Sequence, residues 1–189
     1  IVAVDSTSQF PPDALRDHPD VGYLRALSAE GVLALEPTLI LAESDAGPPE
    51  TVSVLEAADI DFRKAPEAKD AAGIARKISF VANALGAEEE GDALAKAVEQ
   101  DLAAILDATS AIERRPRVLF ILSAAGGRIM GAGADTSAAA MIEMAGGINA
   151  IGGFEGFKPL SDETVLTAAP DVVVMMSRGA HGMAADEIF

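Results

Sequence analysis

Cysteine and tryptophan are both absent from this chain of 189 residues. Because there is no cysteine, disulfides, thiolate-bound zinc, iron–sulfur clusters and thiol catalysis are all excluded. Aromatic side chains are scarce as well, with seven phenylalanines and a single tyrosine, Tyr23. A core of useful size must therefore be built from Ala, Val, Leu and Ile, which are plentiful here.

Basic residues and long apolar runs are also in short supply. The chain carries 14 Lys and Arg against 30 Asp and Glu, a formal net charge of −16. This charge argues strongly against nucleic acid as a partner, because its phosphates must be neutralised by Lys and Arg. No apolar run approaches the roughly 20 residues that a membrane-spanning helix needs, so the sequence predicts no membrane insertion.

The motifs of common enzyme active sites are missing. The chain has no HExxH, no Gly-Lys-Ser/Thr phosphate loop, no Gly-x-Ser-x-Gly elbow and no EF-hand loop. Gly131-x-Gly133 follows a predicted strand, but it lacks the third small residue of the dinucleotide fingerprint. We interpret this segment as a flexible loop lining a cleft, and the protein as a binding protein rather than an enzyme. A nucleotide-dependent enzyme of Rossmann type is the less favoured alternative.

Short apolar segments alternate with helical segments, and this alternation predicts an α/β protein with mainly parallel sheets. The expected strands cover residues 1–4, 39–42, 60–62, 118–122 and 172–176. The expected shorter helices cover residues 28–35, 50–58, 70–85, 137–145 and 161–168.

The middle of the chain predicts one long amphipathic helix. Residues 88–112 contain no proline, and their apolar side chains recur at helical spacing, as at Leu94, Val98 and Leu102. At 1.5 Å per residue this helix is roughly 35–40 Å long. It either connects two α/β halves or is an ordinary surface helix of a single domain.

An internal repeat favours two halves. Residues 28–41 match residues 161–174, with Ser, Glu, a Val-Leu pair and Pro at identical offsets. Each copy is typical of a Ser-capped helix with an acid in its first turn and a proline before the next strand. The repeat predicts two similar Rossmann-like lobes with a ligand-binding cleft between them. We expect an N-terminal lobe at 1–87, a connecting helix at 88–113 and a C-terminal lobe at 114–189.

The only tyrosine, Tyr23, precedes Arg25 by two residues, which predicts both side chains on one face of an extended segment. A nearby cation favours the phenolate over the phenol, and a phenolate oxygen is a known protein ligand of ferric haem. Arg25 or Arg128 could pair with a haem propionate. The alternative is an ordinary tyrosine at the edge of the core, whose hydroxyl finds a polar partner.

Three further side chains are candidates for binding. Glu30 and Glu163 are the matched acids of the repeat, and an exposed carboxylate in each lobe could dock onto cations of a partner. Their alternative role is to complement the helix dipole. His181 follows a predicted buried strand, where clefts form in α/β proteins, and is a candidate neighbour of the ligand.

Five segments of the chain resemble the haemin-binding periplasmic proteins of bacterial ABC importers. They lie at 5–8, 21–31, 46–49, 119–123 and 157–161, so the resemblance runs along essentially the whole chain. The Gly-Tyr-x-Arg-x-Leu-x-x-Glu-Gly run that begins at Gly22 is specific to the haemin branch. The repeat unit is shared more widely with cobalamin- and siderophore-binding relatives.

The resemblance implies a carrier of ferric haem b, with Tyr23 ligating the iron as a tyrosinate and Arg25 beside it. It implies two Rossmann-like lobes joined by one long helix, in a monomer that works in the periplasm. Glu30 and Glu163 would dock the lobes onto arginines of the permease, which acts with its ATPase. A cobalamin- or ferric-siderophore-binding protein of the same class is the alternative.

The chain also departs from the family pattern. Some family members carry a histidine ligand in the second lobe at the position of Ala124. We expect a strand and helix to be missing before Ile1, together with any signal peptide, and the end of the second lobe to be missing after Phe189. The segment 63–69 is more charged than is usual in the family at this point.

Overall fold

The computed structural model describes residues 1–124 and 128–176. The chain divides into two compact units, which are described separately below. The first unit comprises Ile1–Glu67 and Arg76–Asp92, and the second comprises Ala68–Ala75 and the chain from Ala93 onward. No helix within the described ranges is both long enough and apolar enough to cross a membrane.

Helices and strands alternate along most of the chain, as the sequence predicts. The helices are α1 (Ala14–Asp17), α2 (Ala29–Leu33), α3 (Pro49–Ala57), α4 (Ala71–Leu85), α5 (Glu88–Ser110), α6 (Ser137–Met144) and α7 (Asp162–Ala168). The strands are β1 (Leu39–Ala42), β2 (Asp61–Lys64), β3 (Arg117–Ser123), β4 (Ile129–Ala132), β5 (Ile148–Asn149), β6 (Phe157–Leu160) and β7 (Val172–Met175). The predicted long helix is therefore confirmed as α5, and the α/β class is confirmed.

Two parallel strands form the sheet of the first unit. β1 and β2 pair from Leu39 opposite Asp61 to Ala42 opposite Lys64, and α3 is the crossover between them. Pro49 occupies the first turn of α3, where a missing N–H leaves no helical hydrogen bond unmade. Val52 and Leu55 of α3 are buried, so this helix contributes its apolar face to the core.

Ion pairs hold the charged segment 63–69. Arg63 Nε donates to Asp61 Oδ1 over 3.0 Å, along the same strand. Lys64 Nζ lies 2.8 Å from Glu56 Oε1. In the second unit, Lys69 Nζ lies 2.7 Å from Asp135 Oδ1. The three basic side chains of this segment, Arg63, Lys64 and Lys69, therefore each lie beside a carboxylate.

The sheet of the second unit is centred on β3. β7 runs parallel to β3 along Val118–Ile121, and β5 runs parallel to its beginning. β4 pairs antiparallel with the end of β3, and β6 pairs antiparallel with β4. The buried core of this unit consists of Leu119, Ile121, Ala150, Ile151, Leu160 and Ala168.

The glycine-rich segment at Gly131 and Gly133 is where the sequence interpretation is wrong. Ile129–Ala132, which include Gly131, form strand β4 and not a flexible loop. A Cβ atom on Gly131 would lie 2.4 Å from Leu160 Cδ1, and one on Gly133 would lie 2.2 Å from the Phe154 carbonyl oxygen. These glycines are required by close packing, which explains their presence without a nucleotide.

The predicted strand at residues 1–4 is also wrong. Val4 forms only an isolated parallel bridge with Asp20. Its amide donates to Pro19 O over 3.0 Å, and its carbonyl accepts from Val21 N over 3.0 Å. An apolar run of four residues is typical of a strand, but among the described residues this single bridge is its only strand pairing.

The internal repeat is confirmed as a local structural repeat. Ser28 caps α2 by accepting from Gly31 N over 3.2 Å, and Ser161 caps α7 by accepting from Thr164 N over 3.1 Å. The helix in each copy leads into a strand that runs parallel to its neighbour, β1 beside β2 and β7 beside β3. Sequence matching therefore identified two copies of one supersecondary unit.

Candidate functional site

A tight turn places the single tyrosine on the surface of the first unit. Ala26 N donates to Tyr23 O over 2.7 Å, which closes a four-residue turn. The turn follows Gly22, whose φ of +90° lies in the left-handed region that favours glycine. The predicted extended segment is therefore wrong, because hydrogen bonding bends the chain here.

Side chains of this turn alternate between the interior and the surface of the first unit. Leu24 lines an apolar cavity of about 420 Å³ within the first unit. Tyr23 and Arg25, on either side of Leu24, are exposed, and 44% of the Tyr23 surface is accessible. Leu24 is half-buried against this cavity, whereas the phenol and the guanidinium on either side of it are exposed.

Tyr23 and Arg25 contact one another directly. Arg25 Nη1 donates to the Tyr23 hydroxyl oxygen. The guanidinium carbon also lies 5.6 Å from the centroid of the tyrosine ring, within the range of a cation–π contact. The expected pairing of these two side chains is thus present, although a turn rather than a strand brings them together.

A third residue, Asp45, completes this cluster. Arg25 Nε donates to Asp45 Oδ2 over 2.9 Å, and Arg25 Nη2 donates to the same oxygen. The Asp45 hydrogen bond, followed by the Tyr23 hydrogen bond, raises the pKa of Arg25 above its ordinary value, against a smaller opposing effect of partial burial. The guanidinium is therefore a permanent cation around neutral pH.

Sequence reasoning missed Asp45, which lies 20 positions beyond Arg25. Backbone hydrogen bonds bring the two loops together: Gly47 N donates to Leu24 O, and Leu27 N donates to Gly47 O, each over 2.9 Å. The Ala46-Gly-Pro-Pro49 run belongs to the family pattern. Nothing in its spacing indicates that the aspartate before it reaches Arg25.

The cluster has the chemistry of a ligand for a hard metal ion. The phenol oxygen of Tyr23 is exposed and accepts a hydrogen bond from a guanidinium that stays positively charged. Ferric iron in haem accepts a tyrosinate oxygen as an axial ligand. The residues present therefore fit a ferric haem bound through Tyr23.

Glu30 and Glu163 occupy equivalent positions in the two copies of the repeat. Both lie in the first turn of a short helix, in α2 and α7, and both are exposed. Neither carboxylate forms an ion pair or a side-chain hydrogen bond with any residue of 1–124 or 128–176. Glu163 also lines a groove of about 470 Å³ in the second unit, together with Arg117 and Thr164.

The remaining two candidate binding residues are Arg128 and His181. Arg128 is exposed and directly precedes β4 in the second unit. It makes no ion pair within the part of the chain that the structure describes. His181 lies outside the described residues.

Two solved structures are similar to this chain. BhuT, a periplasmic haem-binding protein in complex with two haems, is 41% identical with a TM-score of 0.86, and the match covers 93% of this chain and 66% of that one. RhuT from Roseiflexus sp. RS-1, a periplasmic haem-binding protein in apo form, is also 41% identical with a TM-score of 0.85, and the match covers 92% of this chain and 67% of that one.

A curated relative is more distant. YvrC of Bacillus subtilis (strain 168), an uncharacterized ABC transporter substrate-binding lipoprotein, is 25% identical over 177 residues, which is 92% of this chain and 56% of that protein. The chain thus spans about two thirds of the length of the two solved relatives and just over half of the curated one.

The likeness to haem-binding proteins predicted from the Gly-Tyr-x-Arg run is confirmed by BhuT and RhuT. The family described as periplasmic binding protein matches residues 1–188, nearly the full sequence. By this match, the chain belongs to the periplasmic binding protein family.

Proposed function

We propose that this chain binds ferric haem in the periplasm and delivers it to a bacterial ABC importer, as a carrier and not as an enzyme. The observation that carries the proposal is the exposed Tyr23 hydroxyl accepting a hydrogen bond from Arg25. Membership of the periplasmic binding protein family supports the carrier role. The similarity to haem-binding BhuT and RhuT supports haem as the cargo.

In this proposal Tyr23 supplies the bond that holds the iron. Its oxygen binds ferric iron as the phenolate, and Arg25 stabilises that negative charge. The cargo is haem b, whose porphyrin adds a large apolar surface to be buried. Arg128, or Arg25 through its remaining hydrogen-bonding capacity, pairs with a propionate. His181 is retained as a candidate neighbour of the haem.

A second protein ligand is not assigned. The position at which some family members carry a second-lobe histidine is Ala124 here, and alanine has no donor atom in its side chain. We therefore propose tyrosinate as the one iron ligand contributed by the identified residues.

Docking onto the importer is assigned to Glu30 and Glu163. Their equivalent placement in α2 and α7, exposure and lack of an ion-pair partner among the described residues support this role. A carboxylate without a partner among these residues can meet a cation on another protein. The permease, working with its ATPase, would present those cations to a monomeric carrier.

An absorption titration tests the identity of the cargo. The purified chain is titrated with haemin, with cobalamin and with a ferric siderophore under the same conditions. Haemin should bind with one clear end point and a ferric spectrum of tyrosinate type, and the other two should not compete. Binding of cobalamin or siderophore in preference to haemin would assign the chain to another branch of the family.

The enzymatic alternative has its own readout. A nucleotide that binds only the native state stabilises it by RT ln(1 + L/Kd), where L is the free nucleotide concentration, and so raises the melting temperature. Haemin should raise the melting temperature of this chain, and ATP and NAD should leave it unchanged. Stabilisation by a nucleotide but not by haemin would contradict the carrier proposal.

A further inference from the structure

Asp45 accepts hydrogen bonds from Nε and Nη2 of Arg25, and Tyr23 accepts one from Nη1. We infer that Asp45 is a positioning residue, which holds the Arg25 guanidinium against the Tyr23 oxygen so that the cation stays beside the iron ligand. This inference deepens the proposed haem-binding function and rests on it for its biological meaning. Its physical core, the control of Arg25 by Asp45, does not depend on haem.

The geometry of the guanidinium carries the first step. Arg25 offers its donors in a rigid planar fork, so fixing two of them fixes the direction of the others. Nε and Nη2 are both taken by Asp45 Oδ2, which leaves Nη1 directed at the Tyr23 hydroxyl. The carboxylate thereby selects the rotamer in which the cation meets the phenol.

Exposure explains why such a restraint is needed. The Arg25 side chain is 52% exposed to solvent, and the Asp45 side chain is 49% exposed. A long exposed side chain samples many rotamers unless a partner holds it. Without Asp45, Arg25 would keep its charge but spend less time beside Tyr23.

The backbone places Asp45 where it can act. Gly47, two residues beyond Asp45, is buried and exchanges backbone hydrogen bonds with Leu24 and Leu27. Thr51 Oγ1 adds a hydrogen bond to Leu27 O over 3.2 Å. These bonds clamp the Asp45 loop to the turn that carries Tyr23 and Arg25, so the carboxylate is held in place by the fold.

Orientation and charge make opposite predictions for Asp45. If its negative charge dominated, removing it would leave a stronger net positive field at Tyr23 and would tighten an anionic ligand's hold on iron. If its positioning role dominates, removing it loosens Arg25 and weakens that hold. We expect positioning to dominate, because two of the Arg25 donors bind Asp45 and one binds Tyr23.

A double-mutant cycle tests this in the haem complex. The rate of haemin transfer to apomyoglobin is measured for the wild type, Asp45→Ala, Arg25→Ala and the double variant. Asp45→Ala should speed haemin loss about two- to fivefold in the wild-type background, the size of an exposed charge pair. In the Arg25→Ala background it should have no further effect, because Asp45 acts through Arg25. An equal effect in both backgrounds, or slower loss in Asp45→Ala, would overturn the inference.

A second readout needs no haem. The chain contains one tyrosine, so labelling tyrosine with ¹³C at Cζ gives a single NMR signal that reports on the Tyr23 hydroxyl. Arg25→Ala and Asp45→Ala should shift this signal in the same direction, and Asp45→Glu should restore part of the shift. An unchanged signal in Asp45→Ala would overturn the inference even if haemin binds normally.

The two readouts separate the inference from the proposed function. If the wild type fails to bind haemin while the signal moves as expected, the haem proposal falls and the positioning role stands. Asp61→Ala is the matched control, because it removes another exposed aspartate–arginine pair of the first unit, at Arg63. It should leave both readouts unchanged.

Discussion

Glu36 and Ala169 occupy equivalent positions of the internal repeat, and both have a left-handed backbone, with φ of 48° and 41°. Each directly precedes a proline, Pro37 or Pro170, that leads into a strand. Left-handed conformations strain residues that carry a Cβ atom, and glycine relieves that strain. The repeat therefore conserves a bend of the backbone between its two copies even though neither copy has the residue that fits it best.

Replacing Glu36 or Ala169 by glycine should stabilise the protein. Each change should add about 0.5–1 kcal/mol to the free energy of unfolding, since relief of strain exceeds the added freedom of the unfolded chain. Urea denaturation measures this. Ala34→Gly is the matched control, because Ala34 has an ordinary helical φ of −61°, and it should be destabilising. Equal effects at Ala34 and Glu36 would contradict the argument.

Two helix glycines should respond to alanine with opposite sign. A Cβ atom on Gly91 of α5 would lie 2.1 Å from Ala82 Cβ of α4, whereas one on Gly31 of α2 would lie 3.6 Å from its nearest neighbour. Gly31→Ala should gain up to about 1 kcal/mol from helix propensity. Gly91→Ala should lose about 1–3 kcal/mol, because the two helices must separate. Denaturant unfolding of both variants checks this, and stabilisation by Gly91→Ala would show that the approach is not tight.

The Asp61–Arg63 pair should affect how the stability of the protein depends on pH. The hydrogen bond from Arg63 holds the pKa of Asp61 below its ordinary value. Because this carboxyl titrates lower in the folded chain, the pair's contribution is present above a pH of about 3.9 and is lost as the pH falls through the depressed pKa. In Arg63→Gln, NMR titration of the Asp61 carboxyl carbon should show a higher midpoint. An unchanged midpoint would mean that the pair does not persist in solution.

Cargo capture and docking should separate by mutation. Glu30→Gln combined with Glu163→Gln should leave haemin binding unchanged, since iron binding is assigned to Tyr23 and docking to these two carboxylates. Haemin uptake into vesicles containing the importer should fall at least about tenfold, which corresponds to 1.4 kcal/mol. Glu36→Gln is the control for loss of an exposed charge and should not affect uptake. Normal uptake by the double variant would remove the docking role.

Sequence patterns predicted those elements whose local signals agree with the fold. The Ser caps, first-turn acids and proline stops of the repeat correspond to α2 before β1 and α7 before β7. The proline-free apolar spacing of residues 88–112 corresponds to α5. In each case propensity, capping and apolar pattern indicate the same structure, so tertiary context had little to override.

Elements that depend on distant partners could not be predicted in this way. β4 contains Gly131, and β6 contains Pro159, residues that ordinarily count against a strand. The pairing of β4 with β6 depends on the close packing of Leu160 against Gly131, which the sequence alone does not reveal. Asp45 has the same explanation: it is one of 30 acidic residues, and only the hydrogen bonds of Gly47 single it out.

The measurement that tests the central claim most directly is the ferric haem spectrum of Tyr23→Phe, which removes a single oxygen atom from the exposed turn. The wild-type complex should show the absorption and resonance Raman bands of iron-bound phenolate, and Tyr23→Phe should lose them and release haemin at least about tenfold faster, a difference of 1.4 kcal/mol. Identical spectra and release rates in the two proteins would show that the iron is held elsewhere.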